Sequence, residues 1–250
     1  MNNLPIYALD FDGVICDSAV ETAITGWKVA SSIWQDMPPS VPNDLIEQFK
    51  LVRPIIETGY EAILAMRLLY QQTPIESIYE NYAVLTQTIL DESQLTPAAL
   101  KHLFGKTRDE WIAKDLADWI KHNPLFTDIA TKLKHLSQQN TWYIVTTKQE
   151  RFVKQILQAN AIELDENHIY GLDRNMNKPS VLKLLLEKHP EQEICFVEDR
   201  LPTLLNVIQN SELKPIKLIF ALWGYNTLAD ENLAQQNPIS LQELDEFLKF

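Results

Sequence analysis

Downstream of Pro124 the chain switches repeatedly between two hydrophobic periods, and this alternation constrains the fold more than any other feature. Ile129, Leu133 and Leu136 recur at helical spacing and are followed by the apolar run Trp142–Thr146. Phe152, Ile156 and Leu157 mark a second helix, and Val181, Leu182, Leu185 and Leu186 a third. The run Ile194–Val197, a helix from Pro202 through Val207 and Ile208, and the run Leu218–Leu222 complete the series. Short apolar runs without polar alternation suit strands buried on both faces, and helices between them imply parallel connections. A further run of this kind, residues 6–10, opens the chain. The expected fold is therefore α/β, a doubly wound, mostly parallel sheet built from residues 1–17 and 124–250.

Residues 18–123 have a different character and read almost entirely as helix. Ile75, Ile78, Tyr79, Tyr82, Leu85 and Ile89 follow the helical period behind Pro74. Thr96–Pro97 marks another helix start, and Thr107 with Glu110 has the spacing of a capping box ahead of Trp111, Ile112, Leu116 and Trp119. This segment is expected to be an all-helical insertion in the sheet domain. With 22 basic and 34 acidic residues, the net charge of −12 argues against a general nucleic-acid or anionic-membrane surface. The N-terminus lacks the pattern of a signal peptide, and no apolar run approaches membrane-spanning length. Cys16 and Cys195 form no CxxC motif, and Cys195 falls within an apolar run, so a reducing cytoplasm is the expected setting. With only six glycines, the chain contains neither GxGxxG nor GxxxxGK[ST], which disfavours dinucleotide-binding and P-loop readings.

Polar residues cluster where the strands should end, and doubly wound sheets bind ligands at those ends. The first strand leads into Asp10–Phe11–Asp12–Gly13–Val14. Carboxylates there suit a hard cation, and one can also act as a nucleophile. The second run ends in Thr146–Thr147–Lys148, where a hydroxyl can meet a phosphoryl oxygen or simply cap the next helix. Lys178, before Pro179, offers either a solvated charge or an ammonium fixed beside a carboxylate and an incoming phosphate. The run Ile194–Val197 ends in Glu198–Asp199, two acids that are costly to bury unless paired or metal-bound.

In this order the four segments resemble the motifs of the haloacid dehalogenase superfamily, in its phosphatase-like branch. The helical insertion falls where that family carries a cap, between the first and second motifs, so the resemblance spans essentially the whole chain. It implies a Rossmann-like core and Mg²⁺-dependent hydrolysis of a small phosphorylated metabolite. Asp10 would be the nucleophile that forms an aspartyl-phosphate, and Asp12 the general acid/base. Mg²⁺ would be held by the Asp10 carboxylate, the Asp12 main-chain carbonyl and Asp199. Thr146 and Lys178 would bind the phosphoryl group.

Two departures stand out. Glu198 occupies a position that is often glycine, and Thr203 stands where a further acid is common, so Glu198 is expected to act through water behind Asp199. Thr147 replaces a common asparagine and becomes a candidate phosphate contact. In the insertion, Arg53 (before Pro54) and Tyr60 (after Gly59) are candidates for substrate recognition, with a solvated surface as the other reading of Arg53. Lys106 and Arg108 are weaker candidates. A haloacid dehalogenase proper is disfavoured because Asp12 is present. A phosphosugar mutase shares the whole constellation, and a non-catalytic binding protein that retains the fold is the reading from another class.

Overall fold

The computed structural model describes residues 4–249. They divide into two compact units, one running up to Asp17 and resuming at Pro124, the other comprising Ser18–Asn123.

The second unit is helical throughout: α1 (Ala19–Ile33), α2 (Asn43–Val52), α3 (Glu61–Tyr70), α4 (Ile75–Ser93), α5 (Pro97–Lys114) and α6 (Leu116–Lys121), with a 3₁₀ turn at Arg53–Ile55. Thr96 caps α5, its side chain accepting from the Ala99 amide, and Pro97 takes the first helical position. The expected start at Thr107 is not one, because α5 runs unbroken from Pro97 past it. The chain breaks instead at Asp115, which leaves helical geometry (φ −157°, ψ 86°) and caps α6 through the Asp118 amide. A capping-box spacing starts a helix only where the preceding backbone is not already helical. The unit's core gathers Trp27, Phe49, Leu64, Met66, Ile78 and Phe104. Within it, the fully buried Glu21 receives a bidentate bond from Arg108, Nε to Oε1 at 2.9 Å and Nη2 to Oε2 at 2.6 Å. Thr25 and the Trp119 indole also donate to Oε1, at 2.6 and 3.1 Å.

The first unit is built on a six-stranded sheet: β1 (Ile6–Leu9), β2 (Trp142–Val145), β3 (Ile169–Tyr170), β4 (Ile194–Glu198), β5 (Lys217–Ala221) and β6 (Ser240–Gln242). All pairs are parallel, in the order β3-β2-β1-β4-β5-β6, which matches the expected doubly wound sheet. The four apolar runs of the sequence occupy the centre. β3 and β6 have two and three residues, too few to show a period, and exist by pairing with the strands beside them.

Six helices complete this unit: α7 (Ile129–Gln139), α8 (Glu150–Ala159), α9 (Lys178–Lys188), α10 (Leu201–Gln209), α11 (Leu228–Ala234) and α12 (Leu244–Leu248). Ala8, Val145, Phe196 and Phe220 pack with Val181 and Leu185 of α9 and Leu204 and Val207 of α10. On the other face, the Trp142 indole donates to Ser137 of α7 at 3.0 Å and Tyr7 meets Phe247 of α12 edge-on. Cys195 lies in the core of β4, where burial, with Glu193 nearby, pushes its thiol up to about 12. It is a packing residue, as its apolar run implied. Among the described residues, no helix is long and apolar enough to cross a membrane.

Candidate functional site

β1 lies between β2 and β4, where the winding direction reverses, and the loops after these three strands converge there. The Asp10 amide donates to the Val197 carbonyl at 2.9 Å, extending the β1–β4 ladder by one residue. This bond sets Asp10 beside Glu198 and Asp199. The three acids are buried, and each offers an oxygen within 4.8 Å of the others.

Local backbone fixes each member. After Asp12 the chain reverses at Gly13, whose φ of +91° suits glycine. Side-chain space is also absent, since a Cβ at Gly13 would run into the Asp199 carboxylate. Gly224, in the loop after β5, crowds Asp199 from another side, and a Cβ there would meet the Asp199 side chain and the Gly13 carbonyl. The next amide, Tyr225, donates to Asp199 Oδ2 at 2.6 Å, and the Tyr225 hydroxyl to Asp17 Oδ1 at 2.8 Å. Asp199 is thus held between two glycines and a backbone donor, of which Gly13 belongs to the first motif while Gly224 and Tyr225 do not stand out in the sequence. Their signal is visible only once the loops after β1 and β5 are adjacent.

Lys178 opens α9 behind Asn177, whose side chain caps the helix through the Ser180 amide. Its ammonium bridges two acids, reaching Asp10 Oδ2 at 2.9 Å and Glu198 Oε2 at 2.7 Å. Burial alone would lower the Lys178 pKa, but the charges of Asp10 and Glu198 outweigh it and hold the group above its ordinary value. Burial also pushes the Glu198 carboxyl well above the usual range; Lys178 pulls it back, while Asp10 and Asp199 add to the rise. Lys178 therefore stays charged, and the strain of crowding the acids together is expressed at Glu198, whose protonated form is favoured. Both Glu198 oxygens already accept bonds, Oε2 from Lys178 and Oε1 from the Arg200 amide at 3.1 Å.

The loop after β2 supplies Thr146, Thr147 and Lys148. The Thr146 amide continues the β2–β3 pairing by donating to the Tyr170 carbonyl, and its hydroxyl oxygen accepts from the Lys148 amide at 3.1 Å. Thr147 follows it, half-buried. Lys148, which lies outside the four motifs, sends a buried ammonium to Asp12 Oδ1 at 2.9 Å. Glu150 braces this loop by accepting from the amides of Gly171 and Asp173 at 3.0 and 3.1 Å.

The remaining candidates belong to the helical unit. Arg53 is buried in the 3₁₀ turn and donates to the Ile56 carbonyl at 2.9 Å, so the solvated-surface reading is corrected. Tyr60 is half-buried at the start of α3, with the Lys101 ammonium 5.3 Å from its ring centre. Arg108 is spent on Glu21, and Lys106 makes an exposed pair with Glu110 at 3.6 Å.

In this site four carboxyl groups (Asp10, Asp12, Glu198 and Asp199) face two ammonium groups (Lys148 and Lys178), so acids outnumber bases by two. A buried, oxygen-only donor set with that surplus fits a hard divalent cation of the Mg²⁺ kind.

No protein-family model and no curated protein matches the chain. Solved structures do. A predicted phosphatase from Clostridium acetobutylicum superposes with a TM-score of 0.60 at 14% identity, over 99% of this chain and 97% of that one. A predicted phosphoglycolate phosphatase from Haemophilus somnus gives 0.61 at 17% identity, over 96% and 94%. A haloacid dehalogenase-like hydrolase from Streptococcus pneumoniae gives 0.55 at 20% identity, over 99% and 98%.

Proposed function

We propose that this chain, which has the fold of the haloacid dehalogenase-like hydrolases, is a Mg²⁺-dependent phosphatase that hydrolyses a small phosphomonoester through an aspartyl-phosphate. The observation that carries the proposal is the Lys178 ammonium set between Asp10 and Glu198 at the ends of β1 and β4. It orients the Asp10 carboxylate while a phosphate dianion enters, and it offsets the charge that builds up on the transferring group.

Asp10 attacks phosphorus through one carboxylate oxygen, and the bond to the leaving oxygen breaks. Asp12 protonates that oxygen, then accepts a proton from the water that hydrolyses the acyl phosphate. Thr146 and Thr147 are assigned to the phosphoryl oxygens. The Asp10 carboxylate, the Asp12 main-chain carbonyl and Asp199 would hold Mg²⁺, with Glu198 acting through water because its two oxygens are already engaged. When bound, the cation supplies positive charge against the phosphoryl group.

Substrate choice is assigned to the helical unit, with Arg53 and Tyr60 as its candidate residues. The test is a panel of phosphorylated metabolites, including phosphoglycolate, assayed with and without Mg²⁺. Release of inorganic phosphate supports the hydrolase; transfer back to the sugar would identify a mutase. Metal binding without turnover on any ester would leave the binding-protein reading.

A further inference from the structure

We propose that Lys148 is a positioning residue that holds the Asp12 carboxyl for proton exchange with the leaving group. This assignment rests on the phosphatase reading and extends it to a residue outside the four motifs.

The Lys148 side chain is fully buried (0% exposed), whereas the Asp12 side chain keeps 18% of its surface. An ammonium removed from water needs an anionic partner, and Asp12 Oδ1 provides one at 2.9 Å. The contact joins residues 136 positions apart, on the loops after β1 and β2. Neither end is loose. The Lys148 amide donates to Thr146 Oγ1 at 3.1 Å, and its carbonyl accepts from the Leu172 amide at 3.1 Å. The ammonium passes 5.9 Å from the centre of the Phe11 ring, the residue between the two aspartates. With its backbone fixed before and behind, the side chain is positioned to set the carboxyl rotamer of Asp12.

That constraint has a chemical consequence. Lys148 engages Oδ1, which fixes the plane of the carboxyl and with it the direction in which a proton is exchanged with the leaving oxygen. A general acid works only with its proton aimed at the departing atom, and a short, partly exposed aspartate side chain has several staggered rotamers to choose from. The two lysines then divide the work, Lys178 serving the nucleophile and Lys148 the acid/base.

Leaving-group dependence tests this. An alkyl phosphate needs its departing oxygen protonated, whereas 2,4-dinitrophenyl phosphate expels a stable anion without help. General acid/base catalysis is worth roughly 10²–10⁴-fold. Lys148→Met is therefore expected to lower kcat/KM for the alkyl ester by roughly 10- to 100-fold and for the dinitrophenyl ester by less than about 3-fold. Because Asp12 also activates water in the second half-reaction, the variant should give a burst of dinitrophenolate followed by slow turnover. Combining Lys148→Met with Asp12→Asn should be no slower than Asp12→Asn alone. Lys148→Gln, a second neutral variant, should behave as Lys148→Met does. Equal losses on both esters, with a raised inhibition constant for inorganic phosphate, would make Lys148 a phosphate ligand and overturn the proposal. Equal losses with a lowered Tm would make it structural and overturn the proposal as well. An Asp12→Asn defect that Lys148→Met does not share would sink the Lys148 assignment while leaving the phosphatase intact. A wild-type protein inert on both esters with Mg²⁺ would remove both.

Discussion

Each unit of this protein buries a cluster of charges, and the two clusters are composed differently. In the helical unit, one carboxylate, Glu21, meets one guanidinium, Arg108, in a bidentate pair that Thr25 and Trp119 complete. Charge is balanced, and four donors surround two oxygens. In the α/β unit, Asp10, Glu198 and Asp199 lie together, Lys178 pairs with only the first two, and Glu198 is left with a raised pKa. A balanced buried pair holds helices in place and needs nothing more. An unbalanced cluster is a standing cost to the fold, and under the proposed function a cation and a phosphate would complete it. Burial and acidic residue type are common to both; the count of positive partners separates structure from chemistry.

Four experiments would break or sharpen that contrast, beginning with the largest effect. Asp10→Asn keeps the shape of the α/β cluster but removes the proposed nucleophile, so phosphate release should fall by roughly 10⁴-fold or more with an unchanged circular dichroism spectrum. Turnover close to wild type would remove Asp10 from the chemistry. Arg108→Met strands the Glu21 charge in the helical core and should cost about 3–5 kcal/mol in urea unfolding. Replacing both partners, as Glu21→Leu with Arg108→Met, should recover most of that loss; if it does not, the pair does more than balance charge.

The third experiment reads the unbalanced cluster by thermal shift. Mg²⁺ at a hundredfold its dissociation constant should stabilise the wild-type protein by about 2.7 kcal/mol, and Asp199→Asn should abolish most of the shift. A full shift in that variant would move the cation elsewhere. The smallest effect concerns the scaffold of that ligand. Tyr225→Phe loses the bond from its hydroxyl to Asp17 but keeps the amide bond to Asp199, so stability should fall by ~1 kcal/mol with Mg²⁺ affinity preserved. A large loss of affinity would mean that the Tyr225 side chain, and not its backbone, places Asp199.

Local pattern carried much of the fold. The runs at 6–10, 142–146, 194–197 and 218–222 became the four central strands because strands buried on both faces must be apolar along their length. The acids and Thr146 stood out because polar residues at the ends of such runs need a reason to be there. β3 and β6 were illegible, since Ile169–Tyr170 and Ser240–Gln242 become strands only through hydrogen bonds to Ile144–Val145 and Ile219–Ala221. The Thr107–Glu110 spacing starts no helix because the backbone ahead of it, from Pro97 on, is already helical.

By itself, then, the sequence determined a parallel α/β sheet with a helical insertion and the order of its polar strand ends, because hydrophobic periods and chain order are local properties. Tertiary structure alone decided which charges meet. It paired Lys148 with Asp12, placed Lys178 between Asp10 and Glu198, spent Arg108 on Glu21, and set Gly13 and Gly224 against Asp199. Residues this far apart in the chain leave no shared local pattern to read. Only strand order and register bring their loops within hydrogen-bonding distance, and at that distance the identity of the partner sets what each charge can do.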